Sequence, residues 1–153
     1  MKSLIQRVSS AKVEVGMSTL GQIGSGLLVF LGVEEDDLTD DLDYLVRKII
    51  GLRIFSDHAN KMNLNIKQVN GSLLIVSQFT LIADTRKGNR PSFNNAANPT
   101  KGFEYYKNAI EKFADAGIPV QSGEFGAAMN VSLVNDGPVT IWLDSKDRNR
   151  SRN

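Results

Sequence analysis

The sequence predicts a mixed α/β layered domain in which two helices cover a sheet. Three observations lead there. The elements run strands, helix, strands, helix, strands; each helical stretch carries one apolar stripe; and continuous apolar runs such as Leu27 to Val33 suit a strand buried on both faces.

In Leu4 to Val15, Val13 and Val15 alternate with Lys12 and Glu14, the period-two pattern of a half-buried strand. Gly16 to Ser18 turns the chain, Thr19 to Ile23 pairs back, and Gly24-Ser25-Gly26 turns it again into Leu27 to Val33, a β-meander. Thr39 is the expected N-cap of the first helix, with Asp40, Asp41 and Asp43 in its first turn, where carboxylates complement the helix dipole. Leu42, Leu45, Val46, Ile49 and Ile50 form its stripe, and Gly51 closes it. The acidic cluster from Glu34 to Asp43 is thus mostly a helix start, and no metal site is expected there.

Leu52 to Phe55 reads as a short strand, Ser56 to Lys67 as a polar loop holding the only histidine, His58, and Asn70-Gly71 as a hairpin turn. Asp84 to Pro99 is a long aperiodic polar segment, a length that in compact domains is usually functional or disordered. Asn98 with Pro99 at the first helical position starts the second helix, whose Phe103, Tyr106, Ile110 and Phe113 make one core face; Gly117 ends it and Pro119 prevents its continuation. Val120 to Gln121, Ala127 to Val134 and Val139 to Leu143 are the last strands, with a turn at Asn135-Asp136-Gly137-Pro138 joining the latter pair.

With 153 residues the chain fits one domain, from residue 1 to 143, followed by a charged tail, 144 to 153. It has no cysteine, which excludes thiolate nucleophiles and thiol-ligated zinc. No apolar run approaches the roughly 18 residues of a membrane span, and the first residues lack a signal-peptide core, so a cytoplasmic protein without a membrane partner is expected. The net charge of +1 conceals an uneven distribution: bases gather at Arg86, Lys87 and Arg90 and again at Lys146, Arg148, Arg150 and Arg152. A basic side of this kind attracts a polyanion, and ordinary solvated charge explains it equally well.

Leu73 to Ala83 carries the chemistry. An apolar run is interrupted by Ser77, Gln78 and Thr80, and a buried polar group left unpaired costs about 1–3 kcal/mol. A triad would need His58, beside Asp57, to reach Ser77 or Thr80, and nothing in the sequence brings them together. One histidine and no cysteine leave only carboxylates as metal ligands, so neither a metal nor a cofactor is expected. What remains is a set of neutral donors. Backbone N–H groups at Ser77, Gln78 and Phe79, helped by the Thr80 hydroxyl, suit a developing oxyanion on an activated ester. The alternative makes Ser77 and Thr80 ordinary strand residues. Arg7, among apolar neighbours, reads from the residues alone as a strand-edge arginine with its stem packed and its head in water.

Ser77-Gln78-Phe79-Thr80-Leu81, its continuation Ala83 to Phe93, and the block Asn135-Asp136-Gly137-Pro138-Val139-Thr140 resemble the signature motifs of D-aminoacyl-tRNA deacylases, and Arg7 in QRVSSAKVEV also matches. The similarity runs from Met1 to about Leu143. It implies largely antiparallel β layers in a three-layer β/β/α sandwich and a homodimer. The implied reaction is hydrolysis of the ester of D-aminoacyl-tRNA, with glycyl-tRNA a further substrate. It implies a cis Gly137-Pro138 loop, held by Arg7, that crosses to the partner's site and rejects L-enantiomers. Ser77, Gln78 and Phe79 would line the pocket, Thr80 would act as nucleophile or, as preferred here, as a positioning group, and Met129 would reach the adenosine side. Arg86, Lys87 and Arg90 would meet acceptor-stem phosphates, which makes binding salt-dependent. Two rivals stand beside it: a noncatalytic tRNA-binding module, and a small-ester hydrolase using Thr80 with His58.

Overall fold

A computed structural model describes residues 1–150. Its axis is the first strand, β1 (Lys2–Val15), which is long enough to serve two partners on one side. The first half of β1 pairs antiparallel with β3 (Gly26–Gly32) and the second half with β2 (Ser18–Ile23), while β8 (Asn130–Asp144) runs antiparallel along nearly all of it. The expected meander is therefore not formed, because β2 and β3 take different halves of β1 instead of pairing with each other. Beyond β3 the sheet continues in parallel through β6 (Ser72–Ser77) to β7 (Val120–Ser122), giving the order β2-β1-β3-β6-β7.

Helix α1 (Thr39–Gly51) follows β3 and α2 (Pro99–Asp115) precedes β7. Alternation along the central strands divides the core in two. Leu27, Val29, Leu31, Leu73 and Ile75 pack with Leu42, Leu45 and Ile49 of α1 and Tyr106 and Phe113 of α2. Leu28, Leu74 and Val76 pack with Val8, Ala11 and Val13 of β1 and Ile23 of β2. Each fully buried side chain of this size contributes about 1.5–3 kcal/mol.

The helix starts differ in how they are capped. Asn98 caps α2, its side chain accepting from Lys101 N–H at 3.0 Å. Helix α1 begins one residue earlier in effect than expected: Leu38 holds the N-cap position, and its N–H donates to the Asp41 carboxylate at 2.8 Å. Of the acidic cluster, Glu34 and Asp37 do not serve the helix. Both are buried, and with Ser145 they surround the Met1 ammonium, which donates to Asp37. Lys146 joins Glu34 at 3.2 Å, and Arg148 pairs with Asp41, so the 3₁₀ turn Ser145–Asn149 packs its bases on these acids.

Three local expectations are corrected. Asn70-Gly71 is not a hairpin, because β5 (Met62–Leu64) pairs with β4 (Phe55–Ser56) and not with β6; Asn70 instead has φ of 52° and ends a turn in which Gly71 N–H donates to Ile66 C=O. Asn135 to Pro138 is no turn between two strands, since the residues before and after it pair in one direction along β1. Phe103 is 51% exposed, and the buried face of α2 is Gly102, Tyr106, Ala109 and Phe113. Among the described residues no helix is long and apolar enough to cross a membrane.

Candidate active site

Strand β6 ends at Ser77, and the chain then leaves the sheet. Gln78 N–H makes the last ladder bond, to Leu31 C=O at 2.8 Å, and Phe79–Ile82 forms a 3₁₀ turn. The reading of Thr80 as an ordinary strand residue is thereby corrected: it lies exposed in a turn. The first bond of that turn comes from Leu81 N–H, to Gln78 C=O at 3.2 Å, so the N–H groups of Phe79 and Thr80 precede it and are left open. Of the expected donors Gln78 N–H is already used, Phe79 N–H remains, and Thr80 N–H joins it. Gln78 also donates through its side-chain amide to the Thr80 hydroxyl.

This turn borders a cavity of about 480 Å³ lined by Val76, Ser77, Gln78, Phe79, Ala96, Ala97, Pro99, Phe125, Gly126, Ala127, Met129 and Val131. Ser77, Gln78, Phe79 and Met129 are brought together here, although they come from distant parts of the sequence. Phe125, Gly126 and Ala127 come with the segment that carries Met129, whereas Ala96, Ala97 and Pro99 complete the wall without having been read as pocket residues; their only signal was their place where the polar loop runs into α2. Ala96 and Ala97 are held by Glu34 and Val33 at the end of β3, through a β-bridge and an Ala97 N–H to Val33 C=O bond of 2.9 Å. Behind Phe125 of the wall, with ring centres 5.9 Å apart, the buried Tyr106 hydroxyl donates to Ile75 C=O at 3.0 Å, and burial pushes its pKa up to about 12. Phe79, itself 56% exposed, stacks edge-on against Phe93 with ring centres 5.0 Å apart.

No histidine or carboxylate lines this cavity. His58 lies exposed on a loop, and Asp57, which a triad would need to orient it, instead accepts from the backbone N–H of Ala59 and Lys61 and from Asn63. The Thr80–His58 hydrolase has no geometric support.

A second cluster forms around Arg7. The surface-arginine reading fails, because Arg7 is only 9% exposed and two of its guanidinium nitrogens donate to backbone carbonyls. Its Nε donates to Asp136 C=O at 2.9 Å and its Nη1 to Ile54 C=O at 2.6 Å. Gln6 pairs with Thr140 and Val8 with Asn135, so Arg7 alone stands opposite Asp136 to Val139, and that stretch bulges out of the sheet. The Gly137-Pro138 peptide is cis and Gly137 has φ of 138°. Neither residue lines the cavity of its own chain.

The basic loop behaves unevenly. Arg86 is held by Asp84, whose carboxyl the guanidinium draws down to about 2, whereas Lys87 and Arg90 are exposed and without a salt bridge among the described residues. Arg152 lies outside the described residues.

Residues 4–144 match a family model described as D-Tyr-tRNA(Tyr) deacylase. The chain belongs to this family. It is 53% identical over 145 residues to the D-aminoacyl-tRNA deacylase of Clostridioides difficile, covering 95% of this chain and 97% of that one. It is 56% identical over 144 residues to the D-aminoacyl-tRNA deacylase of Haemophilus influenzae strain KW20, covering 94% and 99%. Among solved structures, the c-Myc DNA Unwinding Element Binding Protein superposes with a TM-score of 0.90 at 38% identity, covering 94% of this chain and 98% of that one. A probable eukaryotic D-amino acid tRNA deacylase superposes with a TM-score of 0.79 at 18% identity, covering 93% and 97%, which speaks to the fold. The motifs that carry the family likeness, Ser77 to Leu81 and Asn135 to Thr140, are the strand end at the cavity and the bulge on β8.

Proposed function

We infer that this protein is a D-aminoacyl-tRNA deacylase, an ester hydrolase of translation quality control that acts in the cytoplasm and releases free tRNA and the D-amino acid. The observation that carries the reading is the cavity lined by Ser77, Gln78 and Phe79, with no acid or base in its wall; Thr80 follows in the same turn without lining it, and the N–H groups of Phe79 and Thr80 precede that turn's first bond. Such a site fits an ester that is already activated: two fixed backbone donors take the carbonyl oxygen as charge develops on it. A threonine hydroxyl without a base is a poor nucleophile. Thr80 also receives a hydrogen bond from Gln78. Its role is therefore to position, and the vicinal 2′-hydroxyl of the terminal ribose, present in every substrate, assists attack by water. Neither a metal nor a cofactor takes part in these steps.

Chirality is decided by the Gly137-Pro138 bulge. It does not line its own chain's cavity and it projects from β8, which also exposes Val134 and Trp142, at 56% and 49%. A homodimer through this face, with sandwiched β/β/α layers in each subunit, carries the bulge into the partner's cavity. Its carbonyls there occupy the side of the α-carbon from which an L-side chain would project, and Arg7 holds it in place. Glycine has no side chain to reject and is accepted. Met129 sits on the adenosine side of the cavity, and Lys87 and Arg90, with Arg86 when released from Asp84, contact acceptor-stem phosphates.

The deciding experiment is deacylation of D-tyrosyl-tRNA and L-tyrosyl-tRNA by the purified chain. Cleavage of the D-ester with the L-ester spared is expected; comparable rates on both would sink the chirality account, and no cleavage of either would leave a tRNA-binding module.

A further inference from the structure

The bulge on β8 raises a question that Arg7 does not answer. Arg7 grips only its first residue, through Asp136 C=O, whereas Val139, the residue after Pro138, must also be fixed if the loop is to hold one position. A bulge of this kind has lost its ladder bonds to β1, so its N–H groups need other acceptors.

Asn135 supplies them. Its Oδ1 accepts from Val139 N–H at 2.8 Å, which forces its Nδ2 toward the Thr140 hydroxyl, where it donates at 2.9 Å. Thr140 Oγ1 in turn accepts from Gln6 Nε2 on β1 at 3.2 Å. One amide thus ties the entry of the bulge to its exit and anchors both to the neighbouring strand. Val139 itself is buried in the core, at 7% exposure, so its N–H cannot turn to water without moving the loop.

We propose that Asn135 is a positioning residue for chiral selection: by closing the bulge through Val139 and Thr140 it fixes where the Gly137-Pro138 loop stands, and hence which enantiomer is rejected. The inference rests on the deacylase reading given above. Asn135 touches no reacting atom, so its loss changes the ratio of L- to D-cleavage more than the D-rate. A merely structural role would lower both rates together and leave the ratio alone.

The test compares single-turnover deacylation of D-tyrosyl-tRNA and L-tyrosyl-tRNA by wild type, Asn135→Ala, Asn135→Asp and Thr140→Val. In Asn135→Ala the L/D ratio is expected to rise about tenfold, the factor carried by one part-buried hydrogen bond. Asn135→Asp keeps the acceptor for Val139 N–H and should restore most of the selectivity. Thr140→Val, an exposed change that removes the hydroxyl on which Asn135 Nδ2 and Gln6 Nε2 both converge, should raise the ratio about two- to threefold and serves if Asn135→Ala does not fold. An unchanged ratio in Asn135→Ala, or in Thr140→Val where the former is unfolded, overturns the proposal while leaving the deacylase reading intact. Failure of the wild type to discriminate overturns both.

Discussion

The end of β6 and the bulge on β8 both interrupt a strand, and they do so in opposite ways. After Ser77 the chain leaves the sheet in a 3₁₀ turn, and its first two N–H groups stay open because nothing in the turn can accept them. At Asp136 to Val139 the chain stays in the strand but swings away from β1, and side chains close it: Arg7 takes the Asp136 carbonyl and Asn135 takes the Val139 N–H, while Pro138 has no N–H to offer. The first region presents donors and the second withholds them. The physical lesson is that a site made of backbone needs its polar side chains elsewhere, in the scaffold that decides which main-chain groups remain free.

Substitutions at the bulge should therefore act on selectivity, and substitutions at the turn on rate or capacity. The largest effect is expected from Gly137→Ala. At φ of 138° an L-residue is strained, and its Cβ would lie 2.7 Å from Val139 Cγ2 and 3.1 Å from Arg7 Nη2. Strain of about 3 kcal/mol corresponds to roughly a hundredfold, so the L/D ratio in the paired deacylation assay should rise by about that factor. Little change in the ratio would show that the bulge does not choose the enantiomer.

Gly123→Ala probes the other region. A Cβ there would stand 2.6 Å from Met129 Sδ, and the flexible methionine must swing aside within a cavity that it helps to line. Because Met129 sits on the adenosine side, which every substrate presents, turnover per KM should fall about fivefold for D-tyrosyl-tRNA and glycyl-tRNA alike, by loss of roughly a methyl group's worth of fit. A loss confined to the bulky D-aminoacyl ester would place Met129 at the amino-acid side-chain pocket instead.

The smallest effect is expected at Thr80. Thr80→Val keeps the methyl and loses the hydroxyl, so a positioning residue leaves single-turnover D-cleavage within about threefold, whereas loss of a nucleophile costs several orders of magnitude. Thr80→Ser reverses the change, and activity in Ser with none in Val would restore Thr80 as the attacking group.

Much of the fold was legible because its signals were local. The stripe from Leu42 to Ile50 and the Asn98-Pro99 start specify helices by 3.6-residue periodicity and capping, and both form. The runs Leu27 to Val33 and Leu73 to Val76 specify buried strands, and both lie at the sheet centre. Pairing was not legible. A strand as long as β1 accepts two partners on one side, and no local pattern says that β2 and β3 will share it instead of joining in a meander. The acids Glu34 and Asp37 misled for the same reason: their partner is the Met1 ammonium, far away in the sequence.

For the site, residue chemistry alone excluded thiol catalysis and pointed to neutral donors at Ser77 to Thr80, because composition and polarity are properties of the chain itself. Which of those donors are free depends on where the parallel ladder with β3 stops. Only the tertiary structure decided that Gln78 N–H is consumed by Leu31 and that Phe79 and Thr80 N–H are left open. It also decided that Arg7 is buried against Asp136 and Ile54 and that one amide at Asn135 closes the bulge, since each is a contact between strands whose register no single segment encodes.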